Sequence, residues 1–246
     1  MLDRVFVEPT PRWIRVRADD ELVADSRRAL LLVQYGPGGL PTYYVPLDDV
    51  RQGALVDAHD DHQRGVRRWS VDAGGTRVRD AAWASLDPAA ELSALGGHVT
   101  FPWHRLEWYE EEEPVFVHAR DPYKRVDVVR SSRHVQVEVD GHTVADSSRP
   151  LLLFETSLPT RYYLPPEDVR TDLLEPTSTT SMCPYKGTAR YWSIRVGDTV
   201  VKDSVWSYPE PIPENPRIRG SLCFFNERVD LVVDGERLER PVTPWS

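Results

Sequence analysis

Short stretches of alternating large apolar and charged residues recur along this chain. Trp13-Ile-Arg-Val-Arg17 is one and His134-Val-Gln-Val-Glu-Val139 another. A period of two predicts half-buried strands, because successive side chains point to opposite faces of a sheet. Asp140-Gly141 then supplies a tight turn, and Thr143-Val-Ala-Asp146 returns as the partner strand. Residues 30–33 and 151–154 are continuous apolar runs, read as buried strands. Thr42-Tyr-Tyr-Val45 and Arg161-Tyr-Tyr-Leu164 are strands ended by Pro46 and Pro165. Residues 67–72 with 76–79, and 190–196 with 199–202, predict hairpins around glycine turns. Residues 224–225 and 229–233 are the last candidate strands. Helix is expected to be minor: one turn each near residues 47–50, 89–95 and 166–169.

These elements occur twice. Residues 22–51, LVADSRRALLLVQYGPGGLPTYYVPLDDVR, answer residues 143–170, TVADSSRPLLLFETSLPTRYYLPPEDVR. RRWSV at Arg67 answers RYWSI at Arg190, and Asp80-Ala-Ala-Trp83 answers Asp203-Ser-Val-Trp206. The offset stays near roughly 120 residues, the sign of a duplicated domain. One half therefore serves as a control for the other. Residues needed for the fold recur in both copies, whereas chemistry can survive in one. The expected layout is a domain over 1–113, a packed linker over 114–130 and a second domain over 131–246. Trp69, Trp83, Trp192 and Trp206 recur and are read as core pillars. The acidic run Glu110 to Glu113 before the junction is read as a solvated loop.

Composition narrows the partners. The net charge of −9 argues against general nucleic-acid binding, which needs a basic face, and against an anionic membrane surface. The 21 prolines suit short strands and turns. No stretch reaches the roughly 20 apolar residues of a spanning helix, and the acidic, proline-bearing start does not read as a signal peptide. With only Cys183 and Cys223 present, the expectation is a reduced, cytoplasmic protein with free thiols.

DGHTVADSSRPLLLFET, LPTRYYLPPEDVR, TSMCPYKGTARYWSI, YPEP and the junction HARDPYKRVDV resemble the family known as domain of unknown function 427, here in tandem form. The resemblance covers nearly the whole chain and is stronger in the second half. It implies an all-β fold: two copies of a compact, mostly antiparallel domain similar to a small barrel or β-tent. It implies no agreed reaction. The family sometimes carries a nucleotidyltransferase label, but neither a phosphate-cradling glycine loop nor a spaced pair of metal-binding carboxylates is found.

Candidate chemistry concentrates in the second copy. In Thr180-Ser-Met-Cys183-Pro-Tyr-Lys186-Gly187 a thiol precedes a lysine by three residues, so the ammonium can stabilise a thiolate. Gly187 permits a tight turn or a close approach. In the aligned first-copy segment, Asp60-Asp-His-Gln-Arg-Gly65, Asp60 stands in place of the thiol of Cys183. Glu155 and Thr156 close an apolar strand, where pocket groups often sit; Glu155 is a general base, an anchor or a partner of Arg161 or Lys186. Tyr162 and Tyr163 face opposite sides if extended. Tyr185, Trp206 and Tyr208 complete the candidate lining. His59 and His62 flank Asp60 and Asp61, but one short cluster reads as a polar loop rather than a metal site. No cofactor is implied.

The reading favoured is a small-molecule binding protein with its pocket in the C-terminal copy. The alternatives are an enzyme with Cys183 as nucleophile, activated by Lys186 with Glu155 handling protons, and a structural or protein-interaction module. Exposed aromatics would serve a homodimer as well as a pocket.

Overall fold

The computed structural model describes residues 5–35, 39–243, 245 and 246. The chain divides into two compact units, Met1–Asp121 and Pro122–Ser246. That boundary falls inside the junction at 114–130. Both units are built from antiparallel strands and short 3-10 turns.

The first unit contains β1 (Phe6–Pro9), β2 (Ile14–Ala18), β3 (Glu21–Ser26), β4 (Leu30–Val33), β5 (Thr42–Pro46), β6 (Leu55–Asp61), β7 (Val66–Ala73), β8 (Thr76–Ser85), β9 (His98–Val99), β10 (Glu107–Glu110) and β11 (Glu113–Val115). The sheets run β1-β4-β5-β9, β6-β7-β8 and β11-β10-β2-β3. A bridge between Trp83 and Thr100 links the first two. The alternation in β2 buries Ile14 and Val16 against Val23, Leu31, Tyr43, Val45, Val71 and Trp108.

The second unit contains β12 (Val126–Arg130), β13 (Val135–Val139), β14 (His142–Ser147), β15 (Leu151–Glu155), β16 (Arg161–Leu164), β17 (Leu174–Cys183), β18 (Gly187–Val196), β19 (Thr199–Ser207), β20 (Leu222–Phe224), β21 (Asp230–Val233) and β22 (Glu236–Arg237). Here the two joined sheets of the first unit become one, ordered β12-β15-β16-β20-β19-β18-β17. It faces a smaller sheet, β14-β13-β21-β22. Val135, Val137, Leu231 and Val233 from the small sheet pack on Leu152, Leu164, Ile194, Val205 and Phe224 from the large one. Among the described residues the sheets stay open, so the closed-barrel form of the expectation does not hold.

The turn chemistry follows the sequence. Asp80 and its repeat Asp203 both take left-handed backbone, with φ of 47° and 45°. They sit where the register between the hairpin strands shifts. Aspartate tolerates this conformation better than most residues, and an irregularity there bends the long strands. Thr177 and Thr179 donate to the Asp203 carboxylate and fix the bend in the second unit.

Several strands escape the sequence pattern: β10 and β11 take in Glu110 and Glu113 of the run read as a loop, and β6 and β17 are the longest of those missed. β6 carries Asp57, His59, Asp60 and Asp61, and β17 carries a run of threonine and serine. Both are outer strands with mostly exposed side chains, so neither needs an apolar face. The expected packing of the junction is mixed. Val115, His118, Ala119 and Asp121 are buried, while Phe116, Val117 and Tyr123 are exposed.

Candidate functional site

The large sheet of the second unit has two faces, and alternation sorts its side chains between them. One face builds the core against β13 and β21. The other carries Leu153, Tyr163, Ala189, Trp206, Tyr208, Cys223 and Phe225, packed with Ile218 and the half-buried Tyr191. Glu155, two residues beyond Leu153, continues this second face. Its carboxylate is almost fully buried, with 6 % of the side chain exposed.

Glu155 holds two ammonium groups. Lys186 donates to one carboxylate oxygen, and Lys124 lies 3.3 Å from the other. Both lysine side chains are 12 % exposed. Lys124 also donates to the Thr156 carbonyl at 2.9 Å. Burial alone would raise the Glu155 carboxyl, but Lys186 and Lys124 outweigh it and hold the group below its ordinary value. Burial would lower the Lys186 ammonium; Cys183 and Glu155 outweigh that and hold it above its ordinary value. Both groups stay ionised near neutrality.

Lys186 owes its position to its backbone. Its N–H donates to the Cys183 carbonyl at 3.2 Å, closing the turn over Pro184 and Tyr185. Its carbonyl accepts from Ile212 N–H at 3.2 Å. Asn215 donates to the Tyr185 carbonyl at 2.7 Å. The chain after β19 thus pins the turn, and Gly187 bridges Pro211 directly. Gly187 has φ of 104°, and a Cβ there would sit 3.1 Å from the Glu210 carbonyl oxygen. Gly187→Ala is therefore expected to cost about 1–3 kcal/mol through backbone strain and to displace Lys186. Urea unfolding followed by tryptophan emission measures that cost.

Around the ion cluster stand groups that titrate high. Cys223 is fully buried, and burial pushes its thiol up to about 12 against the pull of Arg161 and Lys186. Burial, reinforced by Cys223 and Tyr208, pushes the Tyr163 phenol well above its ordinary value. Burial does the same to Tyr208, reinforced by Cys183 and Tyr191. These phenols remain neutral. Tyr163 accepts from Trp206 Nε1 at 3.0 Å, and Trp206 packs on Phe225 at 4.5 Å between ring centroids. Cys183 is half-buried and free, at the rim of this face. Beside it the exposed Ser181 shares a 2.7 Å hydrogen bond with the Tyr191 hydroxyl.

The structure brings Glu155, Cys183, Lys186, Tyr163, Trp206 and Tyr208 to one face. It does not bring Tyr162, which lies in the core on the opposite face; the alternation of β16 separates the two tyrosines. Arg161 shares the face but is consumed. It is buried in a two-bonded ion pair with Glu227, 2.7 Å at each contact, instead of pairing with Glu155. Thr156 is tied to the Arg125 backbone N–H. Tyr185 is half-buried in the turn. Lys124, Cys223, Tyr191 and Glu227 were not read as site residues. Two of them carried a signal: Lys124 by its place in the junction HARDPYKRVDV, and Tyr191 by its place in TSMCPYKGTARYWSI.

The first unit shows what the same face looks like without this cluster. Gln34 stands at the Glu155 position and Thr42 at that of Arg161. Leu32, Tyr44 and Leu95 form an apolar cluster there, with Leu92 packed against it. Strand register also corrects the alignment of Cys183 with Asp60. Thr180 opposes Arg190 as Asp60 opposes Arg67, and Ser181 opposes Ala189 as Asp61 opposes Val66. Cys183 through Gly187 lies in a hairpin extension that the first unit lacks. In the first unit Asp60 pairs with Arg67, and Asp61 lies within 4.0 Å of Arg64 and Arg68. No group of three or more histidine, cysteine, aspartate or glutamate side chains converges among the described residues.

No helix among the described residues is long and apolar enough to cross a membrane. No curated protein matches the chain. A family model described as a domain of unknown function (DUF427) matches residues 6–112 and again residues 127–235. Those two matches span most of the chain, one in each unit, and the chain belongs to the DUF427 family as a tandem member.

Proposed function

We propose that the second unit binds a small molecule on the outer face of its large sheet, at the rim formed by Cys183, Lys186, Ser181 and Tyr191. One observation carries this reading. The second unit buries a carboxylate with two ammonium groups where the first unit has Gln34 and an apolar cluster. A buried ion cluster stabilises no better than well-packed apolar residues, and often worse. The first unit shows that this fold does without it. Perturbed ionisable groups in such a setting mark functional sites.

In this reading Glu155 anchors Lys186 instead of acting as a base, since both its oxygens face ammonium groups. Lys186 presents fixed positive charge to a polar or anionic part of the ligand. Cys183 offers a polarisable contact at the rim. Binding is favoured over nucleophilic catalysis because the groups around the thiol are an ammonium, neutral phenols and an engaged carboxylate. None of them is a free proton acceptor. The reading places the protein in a reducing cytoplasm, where both thiols persist.

The test is protection of Cys183 from alkylation by a panel of small acids, amides and nucleosides, read by peptide mass spectrometry on the folded chain. A ligand should slow Cys183 labelling saturably in the wild type and lose at least tenfold in affinity on Lys186→Met. A panel in which no compound protects Cys183, or protection indifferent to Lys186, would sink the reading.

A further inference from the structure

Among the described residues, strand β17 is an outer strand of the large sheet, paired on one side by β18 alone. Exposed outer strands offer unpaired N–H and C=O groups, and proteins usually guard them with charge, proline or a bulge. The corresponding strand of the first unit, β6, is guarded by charge: Asp57 pairs with Arg77, Asp60 with Arg67 and Asp61 with Arg68. β17 is guarded over its first half only, by Pro176 and the shifted register between Pro176 and Thr180. Its second half is regular. Thr180 through Cys183 oppose Arg190 through Gly187 without interruption. No residue from Thr177 to Met182 is charged. Thr180, Ser181 and Met182 are exposed, Met182 at 46 %.

We propose that an extended, uncharged peptide segment adds to β17 over Thr180 to Cys183 as an eighth strand. In an antiparallel pair alternate residues direct both backbone groups toward the neighbour. The residues of this stretch that turn away from β18 are therefore set to receive a strand. Charged side chains on the incoming peptide would find no counter-charge between Thr177 and Met182. The open edge is short, about 13 Å at roughly 3.3 Å per residue. That suits a peptide, whereas two copies of this chain would need about 1,200–2,000 Å² of buried surface to stay together. Strand addition also lays every second peptide side chain on the face that carries Ser181 and Cys183. The edge is defined by backbone and charge, so the inference does not rest on the ligand reading above.

The test uses the full chain and a phage-displayed library of ten-residue peptides. An enriched peptide is synthesised with and without N-methyl groups at alternate residues. Its binding is measured to wild type, Thr180→Lys and Lys186→Met, with circular dichroism confirming that the variants fold. Enrichment is expected, with at least a tenfold loss on N-methylation and on Thr180→Lys. No enrichment, or binding that survives both changes, overturns the proposal. So does sedimentation showing a dimer that Thr180→Lys dissociates, because the edge then belongs to a second copy. Peptide binding without small-molecule protection at Cys183 leaves the edge standing and sinks the pocket; the reverse result sinks the edge alone.

Discussion

Replacing Glu155 with glutamine is expected to destabilise the second unit by about 3–5 kcal/mol, the cost of leaving a buried cation without its partner. Glutamine is the residue the first unit carries at this position, so shape is nearly conserved and only the charge is lost. The penalty comes from Lys186, whose ammonium is held above its ordinary value partly by Glu155. Adding Lys186→Met to Glu155→Gln is expected to recover at least half of the loss, since the two residues share one interaction. Hydrogen exchange at the amides of β15 and β18 reads the second unit separately, which matters where two units need not unfold together.

The same pair sets a pH dependence. The Glu155 carboxyl is lowered in the folded chain. Its contribution is full above the unfolded carboxylate value of roughly 4.3 and is lost as pH falls through the lower folded value. Lys186 is raised, so its contribution is full below its unfolded value and lost as pH rises through the folded one. Glu155→Gln should therefore flatten the acid limb of the second unit's stability profile. An acid limb equal in slope to wild type would contradict this assignment.

The second large effect is at Arg161. Its guanidinium makes two 2.7 Å bonds to Glu227, with 8 % and 0 % of the two side chains exposed. It also lies 5.5 Å from the Trp206 ring and 5.7 Å from that of Phe225. Thr243 donates to the same carboxylate at 2.6 Å. Glu227→Ala is expected to cost about 3–5 kcal/mol, because it strands a buried guanidinium that cannot deprotonate. Arg161→Met with Glu227→Leu should be far milder, since an apolar pair of similar volume can replace a buried ion pair. Urea titration of the two variants, followed by hydrogen exchange at β16 and β20, separates them. Equal losses in the single and double variants would show that packing, not the stranded charge, sets the cost.

Much of the fold was legible where one side of a strand is apolar, although β12 lay in the stretch read as a linker. β2 and β13 announce themselves by alternation, and the repeat fixes their equivalence. β6 and β17 were not legible, because an outer strand exposed on both faces imposes no apolar period. The site was legible in part. The Cys183-to-Lys186 spacing and the strand-end position of Glu155 named residues that the fold brings to one face. Lys124 was hidden in the junction, and the fate of Arg161 depended on Glu227, 66 residues away. Tyr162 and Tyr163 could be separated by alternation, but which of them faced the core could not. The alignment of Cys183 with Asp60 failed for a related reason. Sequence similarity fades in hairpin tips, and strand register is what places most of the second copy's extra residues there.

The most direct test of a ligand site at the Cys183 rim is the alkylation rate of Cys183 relative to Cys223 in the folded chain, without ligand. Cys183 is half-buried beside charged Lys186, whereas Cys223 is fully buried with its thiol pushed up to about 12. The account predicts that iodoacetamide labels Cys183 at least a hundredfold faster at neutral pH, and that Lys186→Met narrows the ratio. Labelling of both thiols only at the rate of global unfolding would contradict it, because a rim closed to so small a reagent cannot admit a ligand.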